Sequence, residues 1–451
     1  MNILGEIKTL FNSGSDRSVN VKKNIFESIV IKGCSIVVSL LLVPLTLGYL
    51  STDLYGLWLT LSSIILWLNF FDVGFTLGLK NKLAEAVAKE QWEEGKKYVS
   101  TTYAIITIIF IPLSLIGEIL VSHIEWTKLL NIEDKYSEDI ITVLHVLIAF
   151  FCLQMIANVL SSVVAAFQKV ALSSLFPVIG NVLSLFLIYL LTKFTQSSIV
   201  LLSFVMSSMP VIVLIIASLI LYQSKFKKVC PSWSFIDMNK MKDLMNLGVK
   251  FFVIQIQVVI LFQSTNFLIS YISSPKDVSY YNIAYKYFNI VMMAYYIVLN
   301  PLWPAFTDAY SKEDYKWMNS IYKKMEHMYI VSLLCMIIML FISPFIYRIW
   351  LSDNIDIPFK MTCVVFVYMI ILTWDSLQVM LINGIGSIKL QSYVTMIGLF
   401  VHIPLSLFLG ELYGSYGVIY SMIIITCIYS VFFTKQIRMI LSRKAYGIWV
   451  E

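Results

Sequence analysis

The sequence predicts an all-α protein that crosses a membrane many times. Of its 451 residues, 59% are hydrophobic and only 13% are charged, and the mean hydropathy is +0.81. A soluble globular protein is about 25% charged. Long apolar runs recur along the whole chain, and a helix needs roughly 20 such residues to cross a hydrocarbon core of about 30 Å. These observations leave almost no sequence for a soluble domain.

Twelve apolar runs qualify as transmembrane helices. They occupy residues 25–48, 55–79, 100–121, 141–167, 171–192, 198–222, 248–271, 279–304, 328–347, 361–385, 390–411 and 415–434. The longest basic and polar connector follows the sixth run, and Met238, Met241, Leu244 and Met245 make it amphipathic. We therefore predict two six-helix lobes joined by a linker helix on the membrane surface. The predicted segments are 1–24 (cytoplasmic N-terminal segment), 25–222 (first lobe), 223–246 (linker), 247–440 (second lobe) and 441–451 (cytoplasmic tail).

The distribution of positive charge predicts the orientation of the chain. With the N-terminus in the cytoplasm, 25 of the 33 lysines and arginines lie in inside segments, counting Lys250 at the inner end of the seventh span, and six lie in outside loops. This asymmetry follows the positive-inside rule and places both termini in the cytoplasm. The net charge of +6 thus reports topology, and no nucleic-acid partner is indicated. The six cysteines are scattered without a CxxC or Cys/His cluster, so we expect no metal site, disulfide framework or cofactor.

Three pairs of segments suggest that the two lobes arose by duplication. LAEAVAKEQW at 83–92 matches FTDAYSKEDY at 306–315 with a constant offset of 223 residues. YLST at 49–52 resembles YISS at 271–274, and AAFQKVALSS at 165–174 weakly resembles NGIGSIKLQS at 383–392. Because six spans is an even number, both lobes enter from the same side. We predict a pseudo-twofold axis along the membrane normal, the parallel-repeat arrangement of transporters.

Polar stripes on two predicted spans indicate where a transport site lies. Steps of three and four residues in the eighth span give Ser279, Asn282, Lys286, Asn289, Met293, Tyr296 and Asn300. The first span carries Lys32 on a similar stripe of serines. Hydrocarbon offers no hydrogen-bond partners, so such a face points to protein or to water. Tyr281, Tyr285 and Tyr296 are spaced for stacking on a sugar.

Two carboxylates lie within predicted spans. Asp72 lies near the end of the second span and Asp375 lies deep in the tenth. Intramembrane acids are costly and often bind H⁺ or Na⁺ in transporters. A wet, partly cationic chamber between the lobes would suit an anionic cargo such as a diphosphate. We predict Lys32, Lys286, Asn282, Asn289, Tyr285 and Tyr296 as cargo contacts and Asp72 and Asp375 as ion-coupling residues, with no catalytic residue.

The sequence is also compatible with purely structural roles for these lysines and carboxylates. Lys32 and Lys286 are each about two turns from a span end, so their stems could reach the interface. Asp72 could cap the helix that leads to Lys80. Asp375 could form a local pair or a hydrogen bond between helices.

The motifs of the first two spans resemble a known family. Pro44, the LG at 47–48, Tyr55-Gly56 and the DxG of Asp72 and Gly74 occur in the order seen in the polysaccharide-transporter branch of the multidrug/oligosaccharidyl-lipid/polysaccharide exporter superfamily. The resemblance covers essentially the whole chain. It implies a MATE-like fold of twelve helices in two lobes with a central cavity. It also implies a flippase of the Wzx type, which moves an undecaprenyl-diphosphate-linked O-antigen or capsule repeat unit between leaflets of the bacterial inner membrane. Many relatives carry an acid where this chain has Asn266.

Other functions remain possible from the sequence. A drug or cation antiporter of the same superfamily would need acidic cavity residues and few lysines. A membrane glycan polymerase or ligase would need a large outer loop with catalytic groups, but the longest outer loop, at about 122–140, is short and acidic. No GxSxG, HExxH or P-loop pattern is present, so we expect no enzyme. A scaffold for glycan-assembly proteins would leave both lysines unexplained. Besides the lipid-linked oligosaccharide, the expected partners are the coupling ion, membrane lipid and such assembly proteins.

Overall fold

The computed structural model describes residues 16–72, 74–130, 132–245, 264–299, 302–351 and 355–450. Within these ranges the chain forms α-helices and short 3-10 turns and no β-strand, which confirms the predicted all-α class. The helices are α1 (Asp16–Tyr49), α2 (Thr52–Leu66), α3 (Phe75–Ala88), α4 (Trp92–Val121), α5 (Trp126–Leu130), α6 (Ser137–Ala157), α7 (Val159–Ala166), α8 (Val170–Phe194), α9 (Ile199–Gln223), α10 (Pro275–Leu299), α11 (Leu302–Ser311), α12 (Tyr315–Leu351), α13 (Phe359–Ile385), α14 (Lys389–Tyr413) and α15 (Ser415–Leu441). Residues 264–272 are also helical.

Nine helical stretches in the described ranges are long and apolar enough to cross a membrane. Helix α10 has the length but is not one of the nine, because Lys286 and its asparagines and tyrosines lower its hydropathy. Most of the predicted seventh span, 248–271, and residues 1–15 of the predicted N-terminal segment lie outside the described residues. The chain is a multi-pass membrane protein.

The predicted second span is not one continuous helix. Helix α2 ends at Leu66, a 3-10 segment follows over Trp67–Asp72, and α3 begins at Phe75. Gly74 lies between them with φ of 78°. This left-handed conformation suits glycine and interrupts an α-helix. The prediction of an unbroken helix over 55–79 is therefore wrong, because hydropathy does not register a backbone break.

The connector between the halves differs from the predicted linker helix over most of its length. Residues 225–239 contain only two 3-10 turns, and helical conformation starts at residue 240. Pro231 cannot donate to a helical ladder. Hydroxyl groups of α4 accept the backbone N–H groups instead: Ser100 Oγ from Ser232 at 3.0 Å and Thr101 Oγ1 from Asp237 at 3.0 Å.

The turn geometry repeats with the offset found in the sequence. Helix α3 ends at Ala88 and α4 begins at Trp92, while α11 ends at Ser311 and α12 begins at Tyr315. The intervening turns have left-handed residues at Glu90 (φ 57°) and Glu313 (φ 53°), which are 223 positions apart. The backbone hydrogen bonds that close the second turn join residues 223 positions after those joined in the first turn. This shared geometry is independent support for an internal duplication.

The described residues divide into two compact units. The first consists of the described residues within Met1–Tyr49, Ile65–Glu125 and Ser137–Gln255. The second draws on Leu50–Ile64, Trp126–Tyr136 and Ile256–Glu451, so it includes most of α2. The predicted lobe boundaries and the symmetry axis stay predictions.

Close backbone contact joins α2 to α10 within the second unit. A Cβ atom added at Gly56 would lie 1.6 Å from the carbonyl oxygen of Pro275, the first residue of α10. Ser279 Oγ also donates to the carbonyl oxygen of Thr52 at 2.7 Å. Only glycine permits this approach, because any side chain would overlap backbone atoms that cannot rotate away.

We predict that Gly56→Ala destabilises the protein by about 1–3 kcal/mol, since the extra methyl group must displace the start of α10. Thermal unfolding of the detergent-solubilised protein would measure the change. Gly48→Ala in α1 is the matched control, because a Cβ there meets no atom within 4 Å. An unchanged melting temperature for Gly56→Ala would contradict the described contact.

Candidate functional site

Helix α10 has one buried apolar face and one partly exposed polar face. Ile283, Ala284 and Phe288 are fully buried. The partly exposed residues include five of the predicted cargo contacts: Asn282, Tyr285, Lys286, Asn289 and Tyr296. The structure therefore brings these five side chains to one accessible face of a helix in the second unit, as the three-and-four spacing predicts.

Lys286 forms a hydrogen bond with a tyrosine of α2. Its ammonium Nζ lies 3.3 Å from the hydroxyl oxygen of Tyr55 and 6.0 Å from the centre of the Tyr55 ring. Tyr55 is fully buried and stacks on Trp58 with ring centres 6.2 Å apart. The Lys286 side chain is thus directed to a tyrosine of its own unit.

The charge of Lys286 has no acidic partner among the described residues. A lysine ammonium carries three donors, and the long bond to Tyr55 accounts for one. A phenol is neutral at physiological pH, so it solvates the ammonium without cancelling its charge. An uncompensated cation on the polar face of a membrane helix is ready to bind an anion, and phosphate oxygens suit a lysine.

The asparagines of the polar face differ in their bonding. The Asn282 amide donates to Asn266 Oδ1 at 2.8 Å and to the carbonyl oxygen of Val278 at 2.8 Å. Asn289 forms no hydrogen bond with another described residue, so its amide is available to a ligand. Asn266 thus fixes the orientation of the Asn282 amide.

Tyrosines fill the interior of the second unit beside this face. The ring centres of Tyr281 and Tyr285 lie 5.9 Å apart, and Tyr368 on α13 is buried in the same unit. The Tyr296 hydroxyl donates to Ser376 Oγ at 3.0 Å. Tyr285 and Tyr296 thus present partly exposed rings with defined positions, as stacking on a sugar requires.

Asp375 lies next to Ser376 and is nearly buried, with 7% of its surface exposed. Ser430 Oγ on α15 donates to Asp375 Oδ1 at 3.4 Å, and no cation pairs with this carboxylate among the described residues. A buried carboxylate with one long hydrogen bond is costly when charged. Such a group favours proton uptake or a bound cation, which is the behaviour expected of a coupling residue.

Asp72 holds the start of α3. Its carboxylate accepts the Thr76 hydroxyl at 2.7 Å and the Thr76 backbone N–H at 3.3 Å. This is the capping arrangement that the sequence left open. Asp72 lies in the first unit, whereas the α10 face lies in the second. Its carboxylate is well hydrogen-bonded, unlike that of Asp375, and its ion-coupling role stays a prediction.

Lys32 lies on α1 in the first unit and is exposed. It forms no hydrogen bond or ion pair with any other described residue. Lys32 belongs to a different unit from the five residues of the α10 face, and its predicted cargo contact stays a prediction. Across the described ranges, no group of three or more His, Cys, Asp or Glu side chains could hold a metal ion.

Sequence reasoning missed several residues that define this site. Tyr55, Ser376 and Ser430 are the bonded partners of Lys286, Tyr296 and Asp375, but each pair is distant in sequence. The Tyr55-Gly56 motif carried the one usable signal, since a glycine within an apolar helix often marks close helix packing.

The chain resembles known proteins both in sequence and in fold. The family model described as "Polysaccharide biosynthesis protein" matches residues 21–310. None of the curated protein sequences compared matches the chain.

Solved structures share the fold at low sequence identity. An inward-facing multidrug resistance MATE family transporter of the MOP superfamily aligns with a TM-score of 0.74 at 11% identity, covering 90% of this chain and 95% of that one. The lipid II flippase MurJ, in an inward closed conformation, aligns with a TM-score of 0.66 at 17% identity, covering 91% and 88%. A MOP superfamily transporter from Pyrococcus furiosus, described as having a binding pocket of reverse polarity, aligns with a TM-score of 0.62 at 13% identity, covering 94% of this chain and 97% of that one. The chain therefore has the MOP transporter fold.

We predict that Asp375→Asn leaves the fold as stable as the wild type or more so, because the amide removes a buried charge that has little hydrogen bonding. The matched comparison is Gln436→Leu on α15. Gln436 is fully buried and donates to the carbonyl oxygens of Ser387 at 2.9 Å and Trp449 at 3.3 Å. Its loss leaves these acceptors unpaired and should cost about 1–3 kcal/mol. Thermal unfolding measures both variants, and strong destabilisation by Asp375→Asn would make this carboxylate a structural residue.

Proposed function

This chain belongs to the polysaccharide biosynthesis protein family, and from that premise we propose that it is a flippase for a lipid-linked oligosaccharide. The cargo would be an undecaprenyl-diphosphate-linked repeat unit of O-antigen or capsule. It would move from the cytoplasmic to the outer leaflet of the bacterial inner membrane by alternating access. Both termini would lie in the cytoplasm, in keeping with the charge asymmetry of the sequence.

The observation that carries this proposal is the uncompensated ammonium of Lys286. A charged group at the centre of a membrane helix costs about 2.5–3.5 kcal/mol on insertion scales. Tyr55 solvates this charge but does not neutralise it. A diphosphate supplies the missing negative charge and acceptor oxygens. Lys286 would bind the diphosphate, Asn289 and Asn282 would bind polar groups beside it, and Tyr285 and Tyr296 would stack on the first sugars.

Asp375 is the residue we propose for ion coupling. A carboxylate that accepts one long hydrogen bond inside the second unit can bind H⁺ or Na⁺ on one side of the membrane and release it on the other. Its neighbour Ser376 accepts a hydrogen bond from the Tyr296 hydroxyl. Binding or release of the ion at Asp375 would therefore affect the proposed sugar contact Tyr296 through Ser376.

The second candidate function is a MATE-like antiporter of drugs or cations, because proteins of that kind share the fold. Asp375 is the observation that favours it, since a buried acid attracts a cationic cargo. The unpaired Lys286 on α10 of the same unit opposes it. Of the two, the flippase accounts for both charges. Glycan-assembly proteins would be further partners of a flippase.

We predict that Lys286→Ala lowers the rate of glycan flipping about 10- to 100-fold, the value of a hydrogen bond to a charged group. Lys286→Arg should keep part of the rate. The protein would be reconstituted in liposomes with an undecaprenyl-diphosphate-linked oligosaccharide under an imposed ion gradient. Accessibility of the glycan to an external glycan-modifying enzyme gives the rate.

The matched control is Lys360→Ala, which removes another lysine of the second unit that lies over a tyrosine ring, 4.4 Å from the centre of Tyr416. It should flip glycan at the wild-type rate. Equal rates for Lys286→Ala and wild type would remove Lys286 from the mechanism. No protein-dependent flipping of several such glycans, with folded protein, would favour the antiporter.

We predict that Asp375→Asn abolishes the dependence of flipping on the imposed gradient, since an amide does not take up a proton at physiological pH and lacks the negative charge that attracts a sodium ion. The same liposomes, measured with and without proton and sodium gradients, provide the test. Asp72→Asn is the comparison, because Asp72 is bonded to Thr76 at a helix start and should keep the gradient dependence. A variant at Asp375 that responds to the gradients like wild type would refute its coupling role.

A further inference from the structure

A groove on the second unit lies outside the α10 face. Trp374 of α13 forms one wall, and α15 contributes a stripe at helical spacing that includes Ser430, Val431, Thr434, Lys435 and Arg438. The groove has a volume of about 540 Å³. Val431 is 68% exposed, as expected for a side chain that faces lipid in a membrane protein.

One end of the groove is apolar. The indole N–H of Trp374 donates to Thr434 Oγ1 at 2.9 Å, so both polar groups are satisfied and the ring adds apolar surface. The Tyr329 ring supports Trp374 from behind, with ring centres 4.9 Å apart. Together with Val431 these groups form a fixed apolar wall that suits a hydrocarbon chain.

The other end of the groove is cationic. Lys435 Nζ lies 5.0 Å from the centre of the Trp449 ring and pairs with no carboxylate among the described residues. The Arg438 guanidinium is 64% exposed and lies 3.6 Å from Glu326. Among the described residues that line the groove, none is acidic. Val431 and Arg438 are seven residues apart, which is about 10 Å along a helix. This distance between the apolar and the cationic end of the groove is similar to the distance between the start of a lipid's acyl chain and its headgroup phosphate.

The cationic end lies where anionic lipid headgroups are concentrated. Arg438 is in the last turn of α15, immediately before the tail that the positive-inside rule places in the cytoplasm. The cytoplasmic leaflet carries anionic lipids, and basic pockets between transmembrane helices on that side bind their headgroups.

We propose that this groove binds one anionic glycerophospholipid. Its phosphate contacts Lys435 and Arg438, and one acyl chain lies along Val431 and Trp374. Ser430 at the apolar end donates to Asp375, so the bound chain ends beside the hydroxyl group that bonds the buried carboxylate. This site is distinct from the proposed cargo site, and it does not depend on what the protein transports.

Native mass spectrometry of the full-length protein in detergent tests the site directly. Phosphatidylglycerol and phosphatidylcholine with identical acyl chains are added in equal amounts, and the bound lipid is counted. Each cation near a membrane surface contributes a factor of about five to the binding of anionic lipid. The double variant Lys435→Gln/Arg438→Gln should therefore bind phosphatidylglycerol about 25-fold more weakly than wild type.

Two further variants complete the experiment. Val431→Trp fills the groove from an exposed position, so it should fold normally and also lose the lipid. Lys323→Gln/Lys324→Gln removes two exposed cations of α12 in the same unit and should bind phosphatidylglycerol like wild type. Unchanged binding by either groove variant would overturn the proposal, as would equal binding of phosphatidylcholine by the wild type. Displacement of phosphatidylglycerol by equimolar undecaprenyl phosphate would assign the groove to the polyprenyl carrier and would also overturn it.

Discussion

The ammonium of Lys286 is the central physical constraint on this site, because a charge within a membrane helix needs hydrogen-bond partners and a counter-charge. Hydrocarbon provides neither counter-charge nor hydrogen bonds, so a lysine in a membrane helix needs protein, water or a ligand around it. The fold provides the buried Tyr55 hydroxyl at 3.3 Å and no described carboxylate. This half-satisfied ammonium keeps donors and a charge with which it can bind an anion.

The packing of α2 against α10 determines the position of the Tyr55 hydroxyl. Gly56 allows α2 to reach the backbone of α10 at Pro275, and Ser279 fixes the two helices with a bond to Thr52. Tyr55 lies beside Gly56 in the chain, so the position of its hydroxyl depends on the glycine contact. Further along α10, Tyr296 connects the same polar face to Ser376 and the neighbouring Asp375. The cation on α10 and the buried acid on α13 therefore belong to one unit of the fold.

Much of the helical architecture and one face of the site could be predicted from sequence, because both depend on local periodicity. The polar spacing on α10 correctly grouped Asn282, Lys286 and Asn289, and the 223-residue offset anticipated the matching turns at Glu90 and Glu313. Hydropathy could not locate the break at Gly74, which depends on backbone conformation. It also could not place the bonded partners Tyr55, Ser376 and Ser430. Those contacts arise from tertiary packing across long sequence separations, and no periodic signal encodes them.

Equilibrium binding of an undecaprenyl-diphosphate-linked oligosaccharide to purified protein tests the central claim most directly. The dissociation constant would be measured for wild type, Lys286→Ala and Lys286→Arg, and for each at two salt concentrations. If Lys286 binds the diphosphate, Lys286→Ala weakens binding about 10- to 100-fold and reduces its salt dependence, and Lys286→Arg restores part of both. Equal dissociation constants for wild type and Lys286→Ala would show that the ammonium does not contact the cargo and would contradict this account.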